Sequence, residues 1–485
     1  MVRLAAVAPP QDRAQVCGEN RFYVQYRGTP LFLVGCNQGW TASLQNLEHD
    51  YEAEFDRLVA VGGNLVRITP FICPKVDDPL RFDDRANNLP WRRVGRQYRL
   101  DLDQDGGNPR FWERLAALVH YAYERGIIIS FEFWDLYGPA RGPGGNLNFE
   151  TPPGDRWSAH PFFPGNSPDL TGADALPAET HMRDIAFCRT VTWGTYEKAL
   201  HFQEQYVRRL LDVLSPYPNV ITCMVNETSA EKAWSDYWLA FTHRYFDEAW
   251  GGAPHLAGEM PREFAFTENF TVEEMIEDDR YGFADASQYY RGEGVAEMRS
   301  VKQNLARFRD HCEETGHVKP LTCMKVYNRL APEVLWMRLL AGSASARFHR
   351  VLGSNWQPDE EIAVLAQRQL TYVGHLTSFM REVDFRPWEM VPDHSVVAAA
   401  ADGLETLAMC THDRRVCTVL IYTERAGAAR EVTLALPLAP AMAFWLDPAT
   451  GERTAAQSVA ANGGYAWRVP SAMGQAVLYC SAGTA

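Results

Sequence analysis

Apolar residues recur along this chain in short unbroken runs of roughly four to eight, and between the runs the spacing changes to that of a one-sided helix. Eight such runs predict strands at 31–36, 64–69, 127–134, 220–225, 263–267, 283–288, 320–327 and 345–349. Helical patterns are predicted at 47–61, 109–125, 195–214, 230–249, 272–277, 295–315 and 332–341, with another at 359–379. Unbroken apolar runs suit strands covered on both faces, and helices placed between them imply parallel pairing. The prediction is therefore an α/β fold, a (β/α)₈ TIM barrel. The connections at 71–108 and 136–192 are long, and both follow strands, which is the end where barrel active sites are built.

Two other patterns flank the barrel. Residues 21–35 read as a hairpin around Arg27-Gly-Thr-Pro30, feeding a first barrel strand that leads to Trp40. From about Trp388 the chain changes to short alternating runs at 395–400, 404–410, 416–422, 431–436, 443–446 and 476–480, separated by turn sequences such as Asp447-Pro-Ala-Thr-Gly451. The organisation this predicts is an N-terminal extension and β-hairpin over 1–30, a (β/α)₈ catalytic barrel over 31–387 and a C-terminal antiparallel β-sandwich over 388–485.

Composition narrows the function classes. With 46% hydrophobic and 22% charged residues in 485, a well-packed interior forms without staples. A net charge of −14 argues against nucleic acid and anionic membrane surfaces as partners, because both need a positive field. No apolar stretch approaches the ~18 residues of a membrane span. The ten cysteines are scattered without metal-ligand spacing and read as reduced, buried thiols of a cytoplasmic protein. The N-terminal apolar run is too short for a secretory segment, so a periplasmic or secreted location needs a leader outside this sequence. No phosphate-binding loop, dinucleotide fingerprint or HExxH occurs, and no cofactor or metal is expected. The expected partner is a carbohydrate substrate, and a homo-oligomer is compatible with everything above.

In a barrel the reactive groups come from the C-terminal tips of the strands. The fourth predicted strand ends Cys223-Met-Val-Asn226-Glu227, and a carboxyl group set against an apolar strand end is pushed toward its protonated form. Glu227 is therefore the candidate general acid. The alternative is an acidic pair that only opens the following helix.

Several short motifs, taken in order, resemble the large clan of (β/α)₈ glycoside hydrolases that includes the cellulase-like families. They are Gly62-Gly-Asn-Leu-Val-Arg-Ile68, Asn226-Glu227, Gln288-Tyr289-Tyr290, Lys319-Pro-Leu-Thr, and Phe444-Trp-Leu-Asp-Pro-Ala-Thr-Gly-Glu452 in the C-terminal segment. The resemblance implies Glu227 as acid/base, Asn226 as a contact to the sugar hydroxyl beside the reacting carbon, and Arg67 as a brace. One position departs from that pattern. Lys319-Pro-Leu-Thr-Cys-Met-Lys-Val-Tyr-Asn places Lys325 where the clan's nucleophilic Glu is expected, and an ammonium group cannot form the glycosyl ester of a retaining enzyme.

Alternation puts Lys325 and Tyr327 on one face of the seventh strand, and Arg347 and His349 on one face of the eighth. With Arg67 these suggest an anionic sugar such as a uronic acid. A structural network with Glu132, Asp135, Glu268 and Asp285 is the alternative. Glu132 and Asp135, at the third strand, are also candidates for the second catalytic carboxylate, as are Glu268 on the fifth and Asp285 on the sixth; each of these can instead bind substrate or brace the site. Trp40, Trp134, Tyr289 and the aromatic loop around Trp157 and 160–163 are candidate sugar-stacking groups. The reading is a glycoside hydrolase with a non-standard second group, for which inversion is the simplest mechanism. Two competitors stay open: a uronic-acid lyase using Lys325, Tyr327 and His349, and a carbohydrate-binding protein without catalysis.

Overall fold

The computed structural model describes residues 12–74, 78–135, 156–178, 186–226, 231–261, 271–290, 292–327, 330–351, 360–423, 430–471 and 473–482. Eight strands carry the architecture: β1 (Leu33–Cys36), β2 (Leu65–Ile68), β3 (Ile128–Asp135), β4 (Val220–Asn226), β5 (Ala257–Glu259), β6 (Phe283–Asp285), β7 (Leu321–Thr322) and β8 (Ser345–Phe348). β2 to β7 form one parallel sheet in sequence order, and β8 pairs in parallel with β1. Backbone hydrogen bonds join the two sets at both ends. Asn64 N donates to Val34 O at 2.9 Å, and Ala344 N donates to Leu321 O at 2.7 Å. The sheet is strongly curled, because Leu33, Leu65, Ile128, Ile221, Phe283 and Met324, from strands far apart in the order, meet in one apolar cluster.

Helices follow the strands: α1 (Tyr51–Ala60), α2 (Pro109–Glu124), α3 (Glu197–Leu214), α4 (Lys232–Trp250), α5 (Val272–Glu277), α6 (Gly294–Thr315), α7 (Glu333–Leu340) and α8 (Glu360–Glu382). Their ends obey local chemistry. Asp50 caps α1 by accepting from Ala53 N at 2.9 Å, and Thr271 with Glu274 forms a capping box on α5. Gly251 and Gly316 end α4 and α6 in the left-handed conformation.

One strand differs from the sequence expectation. The sheet position between β4 and β6 is filled by Ala257–Glu259, six residues before the predicted run at 263–267, which lies outside the described residues. Leu256-Ala257-Gly258 is too short and too small to stand out as an apolar run, yet Gly258 is required there. A Cβ on it would lie 2.5 Å from Phe283 O.

Beyond α8 the chain forms two antiparallel sheets. The larger has the order Val391–Pro392, Glu405–Cys410, Val416–Tyr422, Gln475–Ser481, Met442–Leu446, Arg453–Ala455. The smaller has Val397–Ala400, Glu431–Leu434, Gly464–Arg468, Ser458–Ala461. Cys417, Val419 and Ile421 share a cluster with Val432, Leu434 and Trp467 of the smaller sheet. Leu420 joins the main core instead, and Phe379 of α8 lies 5.8 Å from the ring of Tyr479. Coverage on both faces explains why Val416–Tyr422 reads as a continuous apolar run. Arg453–Ala455 and Ser458–Ala461 escape the sequence pattern because both are exposed edge strands without an apolar face. All ten cysteines are free and buried.

Backbone proximity at Gly35 tests the curl directly. A Cβ there would sit 2.0 Å from Leu65 O, between β1 and β2. Gly35→Ala should lower the unfolding free energy in urea by about 1–3 kcal/mol. Gly474→Ala, with open space around the added methyl, should stay within about 0.5 kcal/mol of wild type.

Candidate active site at the strand ends

Arg67 on β2 points along the inner side of the sheet and is fully buried, as is Glu132 on β3. A buried guanidinium needs an anionic partner and geometry that satisfies its donors. Arg67 Nε and Nη2 donate to Glu132 Oε1 at 2.7 and 2.5 Å, and Nη2 also donates to Asn226 Oδ1. The other carboxylate oxygen, Glu132 Oε2, accepts from Thr69 Oγ1 and from Trp40 Nε1 at 3.4 Å. Asn226 Nδ2 donates to Asp135 Oδ1 at 2.7 Å. A donor-only guanidinium on one side and a carboxylate on the other fix the orientation of the Asn226 amide. β2, β3 and β4 are thereby tied together at their C-terminal ends.

A second clamp closes the β1 and β8 side. Asn37, one residue past β1, accepts from Arg67 N at 3.1 Å and returns a bond from Nδ2 to Arg67 O at 3.0 Å. Arg347 donates from Nε and Nη2 to Asn37 Oδ1 at 2.8 and 2.5 Å, and from Nη1 to Met324 O at 3.1 Å. Arg347 was expected to hold substrate, and the structure places it as a fully buried tie between β8, β1 and the β7 segment. Burial and the nearby charge of Arg67 pull its ionisation down to about 9.

Trp40 bridges this network and the outer cations. Its ring lies 5.4 Å from the Arg67 guanidinium and 4.6 Å from that of Arg350, with His349 edge-on at 6.5 Å. Lys325, Tyr327 and His349 also come together. Lys325 Nζ is 5.2 Å from the Tyr327 ring centroid, and the Tyr327 and His349 rings are 5.7 Å apart. Burial first, then Arg67, drives the Lys325 ammonium well below the ordinary lysine range, with Glu132 and Asp135 opposing. Burial, then Lys325 and Arg350, keeps the His349 imidazole neutral. Tyr327 is half exposed and its hydroxyl pairs with the Gln288 side chain at 2.9 Å.

Other candidates sit elsewhere. Asp285 is buried between β6 and β7, accepting from Ser287 N, Thr322 Oγ1 and Met324 N at 2.8–2.9 Å, and burial raises its ionisation. Tyr289 packs edge-on against Phe308 of α6 at 5.3 Å. Trp134 lies 1% exposed among Phe187, Tyr206, Trp234 and Trp238, between the sheet and its helices. The described part of the aromatic loop packs on itself in the same way, with Trp157 against His160 and Phe163. Glu227 and Glu268 lie outside the described residues.

Sequence reasoning missed Asn37, Arg350 and Glu259. Asn37 follows the apolar run Leu33-Val-Gly-Cys36 at a strand tip, a signal of the same kind that drew attention to Asn226. A cavity of about 840 Å³ opens beside this tip, lined by Gln38, His49 and Glu54 and by Ile362, Ala366 and Leu370 of α8. Among the described residues no group of three or more His, Cys, Asp or Glu side chains gathers to hold a metal ion.

Solved glycoside hydrolase structures align with nearly the whole chain. A glycoside hydrolase family 5 structure from Bacteroides vulgatus aligns over 97% of this chain and 94% of its own, with TM-score 0.60 and 15% identity. The chain has a glycoside hydrolase fold. A second structure, described only as a glycoside hydrolase, aligns over 97% of both chains with TM-score 0.58 and 15% identity. A third, a putative glycoside hydrolase also from Bacteroides vulgatus, covers 98% of this chain and 83% of its own with TM-score 0.54 and 13% identity. No protein-family model and no curated protein matches the sequence.

The buried pair sets a measurable cost. Glu132→Gln leaves the Arg67 guanidinium without its anion in a dry site and should lower the unfolding free energy by roughly 3–5 kcal/mol. Glu405→Gln, which removes the partner of exposed Arg299, should cost less than about 1 kcal/mol in the same urea titration.

Proposed function

We propose that the protein is a glycosidase whose proton donor is Glu227. The eight parallel strands act as a closed (β/α)₈ barrel over residues 31–387, with an N-terminal hairpin segment before it and a β-sandwich over 388–485. One observation carries the reading. Asn226 is held with its amide oriented by Arg67 and Asp135 at the end of β4, in a chain with a glycoside hydrolase fold, and Glu227 is the next residue.

The second group follows from how the carboxylates are used. Both oxygens of Glu132 are engaged by buried donors, so Glu132 is a brace. Asp135 is only half-buried at the tip of β3, which makes it the better base to activate water in an inverting mechanism. Lys325 stands in for no nucleophile here. Arg350, over the Trp40 ring, supplies positive potential, which favours a substrate carrying a carboxylate, such as a uronic acid.

A second reading has its own support. Lys325, Tyr327 and His349 are grouped, and an amine held neutral by burial is the form that abstracts a proton. β-Elimination on a uronic acid would use them as base and charge stabiliser.

Assay on a panel of aryl glycosides and glucuronides separates these readings. Glu227→Gln and Asp135→Asn should each lower kcat by roughly 10²–10⁴, with inverted product anomer seen by NMR. Full activity in Glu227→Gln removes the glycosidase reading. An ultraviolet-absorbing unsaturated product that depends on Lys325 replaces it with the lyase. Binding by calorimetry without turnover across the panel would mark a protein that only binds sugar.

A further inference from the structure

β5 ends at Glu259, a fully buried carboxyl group to which nothing above gives a role. Three elements converge on it. Oε1 accepts from Met260 N at 2.8 Å and from Val225 N of β4 at 3.2 Å, with the Cys223 thiol 3.5 Å away. Oε2 meets Ser235 Oγ of α4 at 2.8 Å. A side chain of β5 thus supplies the acceptor for the β4 backbone one residue before Asn226, and anchors it to the helix that follows the site loop.

We propose that Glu259 is a positioning residue, whose carboxyl group links Val225 N to Ser235 and so sets where Asn226 meets Arg67 and Asp135. It acts through the β4 backbone and touches no substrate; its catalytic relevance rests on the reading of Asn226 and Glu227 given above.

Its surroundings decide its charge. The titratable groups around it are the Cys223 thiol on β4, Tyr281 ahead of β6, and the Glu132 and Asp285 carboxyls, which act on the same thiol. Asp236 on α4 bonds the Tyr281 hydroxyl at 2.7 Å and is itself paired with Lys232 and Arg280. Arg67, the cation that acts on the thiol, is committed to Glu132. No Arg or Lys among the described residues bonds Glu259, so burial outweighs the four hydrogen bonds and pushes its ionisation up to about 8. At neutral pH the acid holds its proton and donates it to Ser235 Oγ, while Oε1 keeps both backbone N–H groups.

The direction of the pH effect follows. The folded value lies above the ordinary ~4.3 of an unfolded Glu, so the folded chain binds more protons between them. The stabilisation is complete below the unfolded value and is lost as pH rises from there through about 8. Ionisation puts an unpaired carboxylate against Val225 and loosens the tip of β4.

Hydrogen exchange with mass spectrometry, comparing wild type, Glu259→Gln and Glu259→Ala, tests this without any substrate. Gln keeps the acceptor for Val225 N and the donor for Ser235 at every pH. At about pH 4, below the window, wild type and Glu259→Gln should protect segment 220–226 equally, and Glu259→Ala should not. At about pH 9, above it, wild type should exchange there at least roughly tenfold faster than Glu259→Gln. Equal protection of wild type and Glu259→Gln at both values overturns the proposal, and so does a Glu259→Gln variant already loose at about pH 4. Should the variants fail to fold, wild type alone decides, since segment 220–226 must lose protection relative to 127–131 between the two values. Failure of the glycosidase reading leaves these exchange results untouched. On any substrate the protein turns over, the loss of kcat above about pH 8 should vanish in Glu259→Gln.

Discussion

A guanidinium with no access to water has to be answered by charge and by hydrogen-bond geometry together, and Arg67 obtains both from Glu132. Pairing across β2 and β3 fixes the height at which the two strands end. The donor left over on the same guanidinium then reaches Asn226 on β4, and Asn226 in turn reaches Asp135. Three adjacent strand ends are registered by side chains rather than by the backbone ladder alone. A parallel ladder with evenly spaced, slanted bonds sets pairing but leaves the last residue of each strand free to fray. The buried network removes that freedom at the residues that matter for chemistry.

The same constraint explains how the other cations are divided. Arg347 is fully committed to Asn37 and to a backbone carbonyl, and the Asn37 side-chain amide in turn bonds the backbone N–H and C=O of Arg67. It serves as scaffold. Arg350 lies over Trp40 at the outer edge, where its charge is available to a ligand, and Lys325 and His349, both shifted by burial toward their neutral forms, pack with Tyr327 beside it. Acidic groups follow a parallel division. Glu132, Asp285 and Glu259 hold strands together, and Asp135 remains nearest to solvent.

Most of the fold was legible because strands covered on both faces must be apolar without interruption, and seven of the eight parallel strands overlap the runs that predict them. β5 was not, since Ala257 and Gly258 bury little side chain and Gly258 is there to let Phe283 approach. That displacement also hid Glu259. Lys325 and Tyr327, which alternation puts on one face, lie together. Trp134, expected among the sugar-stacking groups, instead packs among the aromatics of the flanking helices. Whether a charged side chain braces the scaffold or faces a ligand depends on partners hundreds of residues away. Arg347 and Asn37 are such a pair.

If the Arg67–Glu132 pair organises the site, its effect must pass through Asn226 and cannot be independent of it. The most direct measurement is a double-mutant cycle on unfolding free energy with Glu132→Gln, Asn226→Ala and the combined variant. The account predicts that the two costs fail to add, with a coupling of roughly 1–3 kcal/mol. Costs that sum to within about 0.5 kcal/mol would show two unrelated contacts and contradict it.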